Sequence, residues 1–342
     1  MHPSQLPKSI YTGLWRYGHC QGIAVDQKGG YVYCSFTTAL IKLDLTGRVV
    51  GTVTGLLGHL GCIDFCEADE RIYGSLEYKN DEIGRNILRK AGHPGEIANA
   101  FYIAIFDVEK ITRPDMDACR DGVMTTVYLR EVAEDFAAQV EVNGSVLPHR
   151  HGCSGIDGTT FGRLPGDPDG PYRLFVAYGI YGDEGREDND DQVILCYDTA
   201  DWAQYARPLR QEHMHQSGPE RPDGKYFVCT GNTTWGVQNL EYDEASGNFL
   251  MAVYKGKKPA FPNYDLFAID GSRAPEGDRL FLLDNGTGEA TPGWRYPYGA
   301  TGLCSLGEGY FYVSQDGRRG EDYDSHLTLC RWDGQTPFSE VK

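Results

Sequence analysis

Gly18-His19-Cys20-Gln21-Gly22-Ile23-Ala24-Val25-Asp26 decides the fold, because it returns along the chain. A close copy is Gly58-His59-Leu60-Gly61-Cys62-Ile63-Asp64-Phe65. Looser copies are His151-Gly152-Cys153-Ser154-Gly155-Ile156-Asp157, Trp235-Gly236-Val237-Gln238-Asn239-Leu240-Glu241 and Tyr298-Gly299-Ala300-Thr301-Gly302-Leu303-Cys304. Each reads as a turn, a small residue, an aliphatic residue and then a variable position. Apolar residues around each copy alternate with period two, the signature of strands rather than helices.

A second repeat follows the first. Short apolar strands end in Asp at residues 40–44, 103–107, 194–198, 266–270 and 329–333. An Asp in that place bonds the backbone just after it and starts a hairpin, so these five are read as structural. Between each opening copy and each Asp-ended strand lies another strand, at 32–36, 72–76, 174–178, 249–254 and 311–314. A fourth is expected after the Asp turn, at 48–54, 124–130, 202–209 and 279–283. Four antiparallel strands per unit, repeated around a ring, predict an all-β chain: a five-bladed β-propeller in one domain spanning 1–342. Its blades fall at approximately 19–54, 59–130, 151–209, 235–284 and 298–333. The last unit lacks a fourth strand. Thr12-Gly13-Leu14 stands before Gly18-His19 as Thr54-Gly55-Leu56 stands before Gly58-His59. Residues 10–14 are therefore predicted to close the ring, with 338–341 as the rival segment. Short helices are expected within 79–100 and 132–139.

Composition narrows the function classes. The chain has 32 Lys and Arg against 49 Asp and Glu, a net charge of −17. An acidic surface repels nucleic acid and anionic membranes, so neither is an expected partner. The first residues carry no basic, apolar signal segment. No apolar run approaches the roughly 20 residues of a membrane span. The ten cysteines include no CxxC pair and read as reduced thiols. A cytoplasmic location is expected. The acidic run 183–191 reads as a solvated loop, and Lys255-Gly256-Lys257-Lys258 is a basic island. No P-loop, HExxH or GxSxG is present.

The texture of one unit, as in Gly22-Ile23-Ala24-Val25-Asp26 followed by Tyr31-Val32-Tyr33 and Leu40-Ile41-Lys42-Leu43-Asp44, resembles NHL and gluconolactonase-type propellers. The blade count is similar to five-bladed glycosidases and to a group of uncharacterised bacterial propellers.

Aligned on the aliphatic residue, the opening copies continue Ala24, Asp64, Asp157, Glu241 and Cys304. Three carboxylates thus occupy one repeat position on strands that converge on the ring axis, where they can supply acid–base chemistry. The resemblance to five-bladed glycosidases implies Asp64 as base or nucleophile, Asp157 as a tuning group and Glu241 as acid. The alternative is that these carboxylates accept hydrogen bonds from backbone amides of the next blade.

His19, His59 and His151 lie just before inner strands. Three imidazoles from separate blades can bind a divalent metal, an arrangement that resembles oligogalacturonate lyase. Gln21, Arg150, Trp235, Gln238, Lys255 and Tyr298 are candidates to hold a ligand. The expectation is a hydrolase, lyase or lactonase acting on a carbohydrate or sugar acid in the central channel. A non-catalytic sugar-binding or protein-interaction propeller is the alternative.

Overall fold

The computed structural model describes residues 2–342. Five antiparallel sheets stand around an axis, a five-bladed β-propeller. From the axis outward, blade 1 runs Cys20–Asp26, Tyr31–Phe36, Ala39–Asp44 and Val49–Thr54. Blade 2 runs His59–Cys66, Arg71–Tyr78, Ala100–Asp107 and Met124–Tyr128, and blade 3 Cys153–Gly162, Arg173–Ile180, Asp191–Tyr197 and Gly224–Cys229. Blade 4 has Thr233–Asp243, Asn248–Lys255 and Leu266–Ile269, with single bridges from Ile269 to Leu282 and from Leu266 to Trp294 in place of a fourth strand. Blade 5 begins with Leu303–Gly307, Tyr310–Arg319 and Asp322–Arg331.

The sequence pattern explains why blades stack into a ring. Alternate residues of a strand face opposite sides of the sheet. In Ala100–Asp107 both sides are apolar: Tyr102, Ala104 and Phe106 pack toward blade 1, while Phe101, Ile103 and Ile105 pack toward blade 3. The buried core accordingly divides into five clusters, one for each contact between neighbouring blades, including blade 5 with blade 1.

The ring closes with the N-terminal strand Ser9–Trp15, which pairs antiparallel with Asp322–Arg331 from Ser9 opposite Thr328 to Trp15 opposite Tyr323. Thr12 sews this joint: its Oγ1 donates to the Ser325 carbonyl at 3.1 Å and accepts from the Ser325 amide at 2.9 Å. The rival segment takes the remaining end of the same edge, with Ser339–Glu340 against Cys330 and Arg331.

Four of the five hairpin aspartates behave as expected. Asp44, Asp198, Asp270 and Asp333 each accept from an amide two residues on, at 2.9, 3.0, 2.9 and 2.9 Å. Asp107 instead leads into a short 3₁₀ turn and pairs with Lys110 at 2.8 Å.

Three local expectations are corrected. The outer strand of blade 3 is Gly224–Cys229, because Trp202–Gln204 coils into a 3₁₀ turn. Residues 279–283 contribute isolated bridges, at Arg279 and Leu282, rather than a strand. The acidic run is not a free solvated loop. Lys258, from the basic island, inserts its ammonium among Asn189 Oδ1 (2.9 Å), Asp190 Oδ1 (2.6 Å) and the Arg186 carbonyl. Arg186 is itself buried, donating to the Pro148 and His149 carbonyls. One helix forms at Glu82–Lys90, within its expected span, and the other at Arg130–Ala137, starting two residues before the span expected for it. Among the described residues no helix is long and apolar enough to cross a membrane.

Candidate functional site

Each innermost strand of the first four blades carries a shift in hydrogen-bond register near its start: Cys20/Gly22, Leu60/Ile63, Ile156/Thr159 and Val237/Asn239. The extra residue at such a bulge leaves the ladder and is re-aimed. In blades 1, 3 and 4 the bulged residues are Gln21, Asp157 and Gln238, and all three line one mouth of the channel. In blade 2 the place belongs to Gly61. A Cβ there would lie 2.6 Å from Asp157 Oδ1, so the glycine makes room for the carboxyl of the next blade.

This bulge corrects the alignment of the carboxylates. Counted by ladder partner, Ala24 faces Tyr33, Asp64 faces Tyr73, Thr160 faces Phe175, Glu241 faces Leu250 and Cys304 faces Tyr312. The equivalent of Asp64 and Glu241 in blade 3 is therefore Thr160. Asp157 stands three residues earlier and opens to the other end of the channel. Between the two ends the thiol of Cys62 reaches across the axis, 3.4 Å from the Thr159 carbonyl and 3.9 Å from that of Leu240. The channel is two mouths, not one pocket.

The first mouth is a cavity of about 230 Å³. Glu77, near the end of the second strand of blade 2, and Lys79, just beyond it, have buried side chains joined by a 2.5 Å ion pair. Lys79 Nζ also donates to the Ser154 carbonyl at 2.6 Å, and Glu77 Oε2 accepts from the Ile156 amide at 2.9 Å. Gly155 permits this reach: its φ is +125° and a Cβ would lie 1.8 Å from Glu77 Oε2. Asp157 Oδ1 stands 3.5 Å from His59 Nδ1, and neither atom has a hydrogen-bond partner. Gln238 Nε2 donates to Gln21 Oε1 at 2.7 Å, and Gln21 Nε2 to Thr37 Oγ1 at 3.0 Å. Tyr254 OH approaches His19 Nε2 at 3.4 Å.

Burial sets the charges. It pushes Asp157 well above the usual carboxylate range, helped by the nearby Glu77. Burial lowers His59 to about 3, with Lys79 and His19 adding repulsion, and lowers His19 to about 4. A neutral carboxyl beside a neutral imidazole costs less here than an ion pair, because desolvating two charges outweighs their attraction.

Trp235 overhangs this mouth. It is 36% exposed, stands at φ 66°, and meets Tyr181 edge to face at 5.9 Å. A non-glycine residue in that region is strained, and the strain turns the indole out of the ladder at a second bulge, between Thr234 and Val237.

Of the residues singled out in the sequence, His19, His59, Gln21, Asp157, Trp235 and Gln238 meet here. The others lie elsewhere. His151 packs edge-on against the Phe227 ring at 5.0 Å, so the three histidines do not converge. Among the described residues no group of three His, Cys, Asp or Glu is placed to hold a metal ion. Arg150 pairs with buried Asp135 at 2.8 Å. Tyr298 packs on Tyr296, and Lys255 lines a neighbouring surface cleft with Arg295. Glu77, Lys79 and Tyr254 were not singled out. Their signal was two charges, spaced to one face, at the end of the apolar run Ile72–Leu76, and a tyrosine at the corresponding end in blade 4.

The second mouth, about 380 Å³, holds the other two carboxylates. Asp64 Oδ2 accepts from the Phe161 amide at 2.6 Å and its Oδ1 from the Phe65 amide at 2.7 Å. Glu241 Oε1 accepts from the Ser305 amide at 2.7 Å. Both carboxylates thus hold the inner strand of the next blade, as the structural alternative expected. Burial raises Asp64 to about 6 and Glu241 well above its ordinary range, Asp64 adding to the latter.

The fold and these two mouths define a five-bladed β-propeller with a polar cluster at each end of its axis. No family model matches the chain, and no curated protein does. Among solved structures it is similar to the apo-form of the soluble aldose sugar dehydrogenase of Escherichia coli. That match has a TM-score of 0.40 and 9% identity, and covers 95% of this chain and 99% of the other. The β-propeller domain of Myceliophteria thermophila Cps50 (Swd1) matches with a TM-score of 0.34 and 10% identity over 94% and 99%. A Trichoderma reesei carbohydrate-active enzyme of family AA12 matches at 0.36 and 12% over 90% and 80%.

Proposed function

We propose that the mouth holding Asp157 and His59 is the working site, and that it takes a small neutral carbohydrate on which this pair performs acid–base chemistry. One observation carries the reading: Asp157 Oδ1 and His59 Nδ1 face each other at 3.5 Å, buried and without hydrogen-bond partners, beneath an exposed tryptophan. An indole face suits the C–H face of a sugar ring, and the amides of Gln21 and Gln238 with the Tyr254 hydroxyl suit its hydroxyl groups. The one lysine of the lining, Lys79, is held by Glu77, which favours a neutral sugar over a sugar acid.

In this reading Asp157 holds a proton and gives it to a substrate oxygen, while unprotonated His59 accepts one from water or a sugar hydroxyl. The carboxyl pair of a glycosidase flanks its bond at roughly 5–9.5 Å. The closer spacing here supports a short relay in which His59 takes a proton from an attacking water as Asp157 gives one to the leaving oxygen of a lactone. Asp64 and Glu241 take no part in it.

The test is a screen of neutral sugars, sugar lactones and uronides for thermal stabilisation, followed by mass analysis of each binder. A neutral sugar or lactone is expected to bind and change mass, and Asp157→Asn to slow turnover by about 100-fold or more. Full turnover by Asp157→Asn overturns the mechanism. Binding without any mass change would make the protein a sugar-binding propeller instead, and uronides as the sole binders would overturn the neutral-sugar assignment.

A further inference from the structure

We infer that the second mouth is a separate binding site for a small organic cation, a primary ammonium on an alkyl chain. The observation that points to a ligand is Glu241. The residue is 4% exposed and lines the cavity; its Oε1 is used by the Ser305 amide, but its Oε2 is buried with no partner. An unpartnered carboxyl oxygen in that position costs free energy unless a donor reaches it.

The surroundings specify the donor. Half-buried Asp64 lines the same cavity, and the exposed Glu67 and Glu244 stand at its rim. Among the described residues no Lys, Arg or His lines the cavity. Arg163 stands at one wall of the cavity. It stacks on the outside of Tyr172 at 4.3 Å and stands 3.6 Å from Glu244, so it offsets a rim charge and not the floor. The walls are aromatic: Phe65 and Phe161 are half-buried, and Tyr172 is 43% exposed. Carboxyl groups at the floor and aromatic faces along the walls match an ammonium head and a methylene chain. A metal ion is the poorer fit, because Asp64 already gives both oxygens to amides and no third ligating side chain joins the pair.

The site is also separate from the first mouth: the two cavities share no lining residue. Burial, with Asp64 beside it, keeps a proton on Glu241 in the free protein. An arriving ammonium takes that proton's place, so binding releases a proton and tightens as pH rises toward the Glu241 value.

The experiment is calorimetric titration of the whole chain with cadaverine, with pentanediol as the uncharged control, in two buffers of different ionisation heat. Cadaverine is expected to bind with proton release and pentanediol to give no binding. Glu241→Gln should weaken cadaverine by about tenfold or more, the loss of a buried charge-assisted contact. Tyr172→Ala, a change at the exposed rim, should weaken it by about threefold with an unchanged melting temperature. Cadaverine heats no greater than those of pentanediol, or wild-type affinity in both variants, would overturn the inference. If Glu241→Gln does not fold, Tyr172→Ala decides alone.

Discussion

Removing the ammonium of Lys79 tests the electrostatic account of the first mouth most directly. In Lys79→Met, Glu77 loses its 2.5 Å partner and Ser154 its 2.6 Å donor, while the Ile156 amide still bonds Glu77 Oε2. Glu77 is then a buried carboxylate beside Asp157 with no cation. It is already held above its ordinary range by burial, with Lys79 as the chief opposing influence. Without Lys79 it takes a proton on folding. The cost of doing so is at most about 1.4 kcal/mol for each pH unit above the ordinary glutamate value. That gives a ceiling of about 5 kcal/mol near pH 8 and under about 1 kcal/mol near pH 5. Losing the bond to Ser154 adds about 1–3 kcal/mol at any pH.

The sign follows from linkage. A carboxyl whose folded value is raised binds protons more strongly folded than unfolded, so the variant regains stability as pH falls. Urea unfolding of both proteins at several pH values between about 5 and 8 reads this out. The difference should shrink on acidification. In the double variant Glu77→Gln with Lys79→Met, where no charge remains to be neutralised, it should be flat. A difference that grows toward acid pH, or one under about 1 kcal/mol near pH 8, would refute the buried ion pair as described.

Two further outcomes are expected. Ile10→Ala, in the closing strand and 2% exposed, should cost about 2–5 kcal/mol in urea unfolding; a loss within experimental error would show that residues 338–341 can close the ring unaided. Asp64 is raised to about 6, so wild-type stability should decline between about pH 4 and 6 by roughly 2–3 kcal/mol relative to Asp64→Asn. Parallel pH profiles of the two proteins would contradict that burial.

Much of the fold was legible because it depends on local, repeated patterns. Period-2 apolarity places Tyr102 and Ile103 on opposite faces wherever the strand sits, and both faces being apolar demands a neighbour on each side. The aspartates at 44, 198, 270 and 333 act on amides within their own turns, so residue type and position suffice. Gly13-Leu14 could be matched to Gly55-Leu56 for the same reason.

The site was legible only in part, because it depends on register. Ile156-Asp157 copies Ile63-Asp64 letter for letter, yet the register shift between Ile156 and Thr159 sends the two carboxyls to opposite ends of the axis. Residue identity reports side-chain type; which end of the channel a side chain enters is set by hydrogen bonds to the next strand. His151 failed in the same way, since packing on Phe227 takes it away from His19 and His59.

By itself, then, the opening stretch and its copies determined the number of blades, their order and the strand that closes them. Only the tertiary structure decided that Asp157 and Asp64 open to opposite ends of the axis, that Cys62 stands between them, and that Glu77 and Lys79 complete the cluster. These are contacts between residues far apart in the chain, and no local pattern encodes them.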